Sequence, residues 1–166
     1  MDEVLIAYAT KHGSTHEVAE FVAAHLADVG VEAHTLPAHL VRSLDEYAAV
    51  VLGAPLYMGR WHHDARAFLR RFRSELATRP LAVFALGPVK DEPEQWDGAT
   101  KQFYKALAHV SGVEPVTVEV FGGAIVPETL HFPFSRVPAG DLRDWDSIRA
   151  WTERLPDKLE LGVLAA

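Results

Sequence analysis

Apolar positions along this chain fall into two alternating rhythms. Val4–Ala9 is an almost unbroken apolar run of strand length, the pattern of a strand buried on both faces. From Thr15 onward, Val18, Phe21, Val22 and Leu26 recur at helical spacing, which predicts a helix with one buried face, and Gly30 ends it. Val31–Leu36 reads as a second strand, more polar and therefore nearer a sheet edge. Ala48–Gly53 is a third, built around Val50, Val51 and Leu52. The next helix places Ala65, Phe68, Leu69, Phe72 and Leu76 on one side and Arg66, Arg70, Arg71 and Arg73 mostly on the other. Pro80 introduces a fourth strand, Leu81–Leu86, and Gly87, Pro88 and Pro93 mark the loop behind it. Phe103, Leu107 and Val110 face a helix inward, and Gly112 closes it. Val116–Ile125 is the fifth strand, interrupted by Gly122 and Gly123. Val126–Gly140 carries three prolines and no period, and reads as an excursion loop. Asp141 and Asp144 offer caps to a last helix buried through Ile148, Trp151 and Leu155, and from Pro156 the chain reads as a loose tail.

Strands alternating with helices five times predict an α/β fold: a parallel sheet covered on both faces and joined by right-handed crossovers. The 166 residues show no repeat and no break in composition, so a single domain is expected over 1–166, with its core at about 3–155. Such sheets bind ligands beyond the carboxyl ends of their strands, where the strand order reverses. For an order 2-1-3-4-5, that point lies between the first and third strands.

Two segments emerge there. The first is Thr10-Lys11-His12-Gly13-Ser14-Thr15, where three hydroxyls and a glycine lead directly into a helix. Free amides and the positive end of the helix dipole suit a phosphate. The same residues suit an ordinary capped helix start, and Lys11 suits either the phosphate or solvent. The second segment follows the third strand, Pro55-Leu56-Tyr57-Met58-Gly59 and on to Trp61. Its aromatic side chains would stack on a flat conjugated ring while Gly59 lets the main chain reach the ring's edge; packing against the next helix is the alternative. There is no Walker A spacing, no G-x-G-x-x-G and no G-x-S-x-G nucleophile elbow. A phosphoacceptor receiver domain is excluded, because the ends of the first and third strands lack its acidic residues.

Composition narrows the partners. No cysteine means no disulfide, no thiolate metal site and no cysteine nucleophile, and suits a reducing cytoplasm. The start of the chain lacks the basic opening of a signal peptide, and no apolar run approaches the ~20 residues of a membrane span. The expectation is therefore a cytoplasmic protein, not transmembrane. A net charge of −7 disfavours nucleic acid and suits docking to a basic partner. His12 and His16, and the adjacent His62 and His63, lack the carboxylates that would complete a metal site, so no metal is expected.

At these residues the chain resembles flavodoxin-domain proteins. Thr10–Thr15 is similar to the flavodoxin phosphate loop, a Thr-x-x-Gly-Ser/Asn-Thr pattern after the first strand. Leu5–Thr10, Gly53-Ala54-Pro55, Tyr57–His62 and Asp144-Trp145 carry the rest, and the Gly59–His62 stretch resembles the quinone-dependent protoporphyrinogen oxidase branch. The resemblance implies a three-layer flavodoxin-like sandwich and a non-covalent flavin mononucleotide (FMN). Its phosphate would lie at Thr10–Thr15 and its ring between Pro55–Trp61 and Leu86-Gly87-Pro88-Val89, up to Lys90. It also implies an oxidoreductase that exchanges electrons with a quinone or a redox partner protein, or a flavodoxin-type electron carrier without its own substrate. A flavodoxin-fold interaction domain without FMN is a third alternative. No catalytic acid or base is assigned; His62 and His63 are candidates for proton delivery. The Val126–Gly140 loop is shorter and less basic than that branch implies, and its apolar His131–Phe134 segment would cover either the ring or a second copy in a homodimer.

Overall fold

The computed structural model describes residues 3–125 and 140–162. In chain order it forms β1 (Glu3–Tyr8), α1 (Ser14–Asp28), β2 (Glu32–Pro37), a short 3-10 turn (Ala38–Leu40), β3 (Ala49–Tyr57) and β4 (Arg60–Trp61). These are followed by α2 (His63–Arg71), α3 (Arg73–Leu76), β5 (Leu81–Leu86), α4 (Pro93–Ala108), β6 (Thr117–Phe121), β7 (Ala124–Ile125), β8 (Gly140–Asp141) and α5 (Trp145–Lys158). The main sheet runs β2-β1-β3-β5-β6, all parallel, with β4 hydrogen-bonded antiparallel to the end of β3. Counting only the parallel strands, this is the expected order 2-1-3-4-5.

Side chains alternate across the strands and divide the core in two. Leu5, Ala7, Val50, Leu52, Leu81 and Val83 face the side covered by α2, α3 and α4, where Phe68, Leu69, Phe72, Leu76 and Phe103 pack. Val4, Ile6, Val51, Ala82 and Phe84 face α1 and α5, whose Val18, Val22, Leu26, Ile148, Trp151 and Leu155 close the other layer. β2 is exposed or half-buried along its whole length at the sheet edge, which is what its polar sequence implied. Gly53 is required where β3 approaches the cleft. A Cβ there would lie 1.9 Å from the Phe84 ring, which packs on Phe121 and Trp151.

Four expected boundaries move. The third strand does not stop at Gly53; it continues through Pro55 to Tyr57, because β4 offers it a new partner once β5 ends. The helix of arginines breaks at Phe72, so α2 and α3 are separate. The fifth strand ends at Phe121, and Ala124–Ile125 leave the sheet to pair with Gly140–Asp141. The supposed tail is not loose at Pro156. α5 runs through that proline to Lys158, and Leu159 and Leu161 are buried beyond it. One missing amide in the last turn is offset by burying these leucines. The His131–Phe134 segment lies outside the described residues.

Candidate functional site

A cavity of about 620 Å³ opens at the carboxyl ends of β1, β3 and β5, beside the β1–β3 boundary where the strand order reverses and among the loops beyond it. That size lies within the usual range for small-molecule sites.

One end of the cavity is the start of α1. Gly13 occupies the N-cap in a left-handed conformation (φ 92°), and no side chain caps the helix. The ordinary Ser/Thr cap is therefore not what the hydroxyls of this loop provide. Thr10 Oγ1 instead accepts a hydrogen bond from the Gly13 amide at 2.8 Å, bending the loop back on itself and leaving the Thr10 hydroxyl proton to donate elsewhere. The first main-chain bond of the helix runs from Glu17 N–H to Gly13 O, so the amides of residues 14–16 have no intrahelical acceptor. Thr15 is fully buried, and its Oγ1 has no hydrogen-bond partner among the described residues. A buried hydroxyl left unpaired beside uncapped helix amides fits an anion that brings its own acceptor oxygens.

This end is braced from far along the chain. The side chain of Arg143 is only 7% exposed. Its Nε and Nη2 donate to the two carboxylate oxygens of Asp141 at 2.9 and 2.8 Å, and its Nη1 donates to Ser14 O at 3.2 Å. Nη1 also lies 3.4 Å from Glu17 Oε2. The hydrogen bonds from Arg143 hold the Asp141 carboxyl below the usual carboxylate range. Asp144 Oδ1 accepts from the amides of Asp146 and Ser147 to start α5, so the return strand and the last helix fix Arg143 against α1.

The second wall is a tight hairpin, not the open aromatic loop the sequence suggested. Leu56 pairs with Trp61 and Tyr57 with Arg60, around a two-residue turn in which Met58 and Gly59 both have positive φ (52° and 74°). Tyr57 and Met58 are exposed at the rim, and the Lys11 ammonium sits 3.7 Å from the centre of the Tyr57 ring. Trp61 turns the other way. It is 1% exposed, its indole N–H donates to Ala54 O at 3.0 Å, and its ring meets Phe103 edge-on at 4.9 Å. Because Tyr57 pairs with Arg60 and Trp61 with Leu56, Tyr57 and Trp61 lie on opposite faces of the hairpin, and the Trp61 ring is packed into the core.

Leu86–Val89 form the third wall, tied to the neighbouring loop by Gly87 N–H to Phe121 O (2.7 Å) and Gly123 N–H to Pro88 O (2.8 Å). Gly122 and Gly123 permit this closeness, since a Cβ would lie 2.1 Å from Leu142 O at the first and 2.6 Å from Gly87 O at the second. Of the residues expected at a flavin site, Lys11, His12, Ser14, Pro55–Gly59 and Leu86–Val89 line the cavity. Thr10, Gly13 and Thr15 shape the loop behind it, and Trp61 lies outside it. Sequence reasoning missed the face contributed by α4, with Glu94, Gln95, Gly98, Ala99 and Gln102, and the edge formed by Gly123, Ala124 and Ile125. Gly98 was the available signal: glycine inside a helix costs about 1 kcal/mol, and here its missing Cβ faces open space.

The two histidine candidates sit at the start of α2, away from the cavity wall. His62 Nδ1 accepts from the Asp64 amide at 3.0 Å and caps that helix. Burial lowers its pKa below the ordinary histidine value, with Asp64 opposing and His63, Lys11 and Arg66 adding to the fall. A lowered folded pKa means the cap stabilises fully above the unfolded value of about 6.5 and is lost as pH falls through the folded pKa. His62→Ala is thus expected to cost about 1 kcal/mol near pH 8 and much less near pH 5, read from urea unfolding midpoints. Equal costs at both pH values would exclude the neutral-cap assignment.

The described helices include none long and apolar enough to cross a membrane. The chain is 26% identical over 125 residues to the protoporphyrinogen IX dehydrogenase [quinone] of Escherichia coli K12, covering 74% of this chain and 69% of that one. Among solved structures it is similar to a flavodoxin mutant from Pseudomonas aeruginosa, with TM-score 0.60 and 19% identity over 95% of this chain and 99% of that one. It is also similar to oxidised flavodoxin 1 from Bacillus cereus, with TM-score 0.59 and 15% identity over 94% and 98% of the two chains. The flavodoxin domain matches residues 5–136, most of the sheet and the whole cleft described above, and the chain belongs to that family of FMN-binding domains.

Proposed function

We propose that this protein is an FMN-dependent oxidoreductase acting on a small ring substrate, of the kind named in its protoporphyrinogen dehydrogenase relative, with a quinone as electron acceptor. The observation that carries the reading is the unpartnered, fully buried Thr15 hydroxyl beneath an uncapped helix start, opening on an apolar cleft. Thr10, Ser14, Thr15 and the amides of the first helical turn would hold the phosphate. Tyr57 and the Met58–Gly59 turn on one side, and Leu86–Val89 on the other, would hold the ring. Bound FMN supplies the electron and hydride transfer itself. The chain contributes binding, exclusion of water by Leu56, Leu86, Pro88 and Val89, and the polar side chains of Gln95 and Gln102 at the α4 edge.

The spectrum of the purified protein and an FMN titration test the cofactor; oxidation of protoporphyrinogen IX by the FMN-loaded protein with a menaquinone analogue tests the reaction. Turnover supports the enzyme reading, and failure with every quinone acceptor abandons it. A carrier reading is favoured by the net charge of −7, since carriers dock through acidic rims. It expects reduction by a flavoprotein reductase at a rate that falls steeply with salt.

A further inference from the structure

At the end of the sheet opposite the cleft, three donor side chains converge on the edge strand. Glu3 opens β1 and Glu32 opens β2, and the two are register partners in the parallel pair. His34 lies two residues further along β2, so the alternation of the strand puts it on the same face as Glu32. The donor atoms of the three side chains all lie within 4.8 Å of one another. His34 Nε2 is 3.2 Å from Glu32 Oε1 and 3.8 Å from Glu3 Oε2. The Tyr47 ring stands to one side, its centre 6.1 Å from that of the imidazole. Carboxylates directly opposite each other on paired strands repel. Among the described residues no lysine or arginine relieves them: the lysine and arginine ion pairs are those of Lys101 and Arg143, elsewhere in the fold. Strand pairing, not spacing along the chain, assembles this set, so a search for histidines with carboxylates nearby in sequence passes over it.

We propose that Glu3, Glu32 and His34 bind a single divalent cation of the zinc type, which ties the edge strand β2 to β1. A tetrahedral ion with bonds of about 2.0–2.2 Å spaces its ligand atoms roughly 3.3–3.6 Å apart. The two separations from His34 Nε2 straddle that spacing, so small side-chain rotations admit the ion. Two carboxylates balance its charge, the imidazole supplies a nitrogen, and water completes the fourth position. A nitrogen donor selects zinc and its neighbours over magnesium and calcium, which take oxygen ligands. All three side chains are partly exposed, so the ion reaches them from solvent, while the sheet holds both backbones in place. Charged residues also guard sheet edges against strand addition, but that role needs charge alone and no convergent nitrogen. The six residues of β1 separate the site from the cleft by roughly 17 Å, at about 3.3 Å per residue. The ion is therefore structural, and its site stands independently of the flavin reading.

The test titrates zinc into the chelator-treated protein by calorimetry and follows the unfolding temperature as zinc is added. The native chain is expected to bind zinc and to unfold at a higher temperature with it, because the site exists only in the folded chain. Magnesium at the same concentration is expected to leave that temperature unmoved. His34→Gln and Glu32→Gln, both at exposed positions, are each expected to weaken zinc binding by more than about tenfold, since even the outer partners of a metal ligand are worth about that much. Each variant is compared with its own zinc-free form, so a change in intrinsic stability does not enter. His16→Gln is the control: that imidazole also lies 3.2 Å from a carboxylate, Glu20, but has no second one beside it. It is expected to leave zinc binding intact. No binding at millimolar zinc, binding unmoved by His34→Gln, binding lost in His16→Gln, or equal stabilisation by magnesium would each overturn the proposal.

Discussion

Thr15→Val is expected to make the cofactor-free protein more stable and its hold on FMN weaker. The Thr15 hydroxyl is fully buried with no partner, and an unsatisfied buried hydroxyl costs roughly 1–3 kcal/mol. Valine has nearly the same shape and removes that cost, so urea unfolding of the apo form should shift upward by about 1 kcal/mol. The phosphate would lose a charge-assisted donor worth about 1.5–3 kcal/mol, which is roughly tenfold to a hundredfold in affinity. Fluorescence quenching of FMN reads the second effect. The opposite signs are what make the experiment informative. A variant that loses stability while binding FMN normally would mean the hydroxyl serves the fold, and the phosphate assignment would go.

Trp61→Ala is expected to damage the fold far more than the cofactor site. Its indole is buried, donates to Ala54 O and packs edge-on against Phe103, so truncation opens a large cavity and removes a buried hydrogen bond. Comparable losses cost about 3–5 kcal/mol, against a total stability of roughly 5–15 kcal/mol for an ordinary domain. Denaturant unfolding should show a drop of that size, while FMN affinity measured under conditions where the variant remains folded should change by less than about threefold. Native-like stability combined with lost FMN binding would reverse the placement of this ring.

How much of this was readable beforehand depends on which physics sets each feature. The five parallel strands were legible because both faces are buried, which writes near-continuous apolar runs such as Val4–Ala7 and Leu81–Leu86 into the chain. The loop Thr10–Thr15 proposed for the phosphate stands out in the sequence because it sets hydroxyls and a glycine in a fixed order at the start of a helix. Trp61 was not, since an aromatic residue after a strand has the same sequence signature whether it stacks on a ligand or fills the core. The hairpin that decides between them turns on Met58, a residue type rarely found with positive φ. Pro156 misled for a related reason: proline signals a helix end locally, while Leu159 and Leu161 reward continuation through contacts the local pattern does not encode. The α4 wall was missed because its inward residues were sought as apolar ones, and it faces the cleft with a carboxylate, amides, glycine and alanine.

The pairing of Ala124–Ile125 with Gly140–Asp141 has an evolutionary consequence. The chain departs and returns through one small antiparallel clip, bolted to α1 by Arg143 and pressed against Gly122 by Leu142. Whatever lies between the two ends begins and finishes at the same fixed place, and the entropy of closing a loop grows only slowly with its length. Sequence inserted there can lengthen, shorten or be exchanged between relatives without disturbing the platform beneath. The clip makes the domain a socket, which fixes both ends of whatever sequence spans it on one rigid seat.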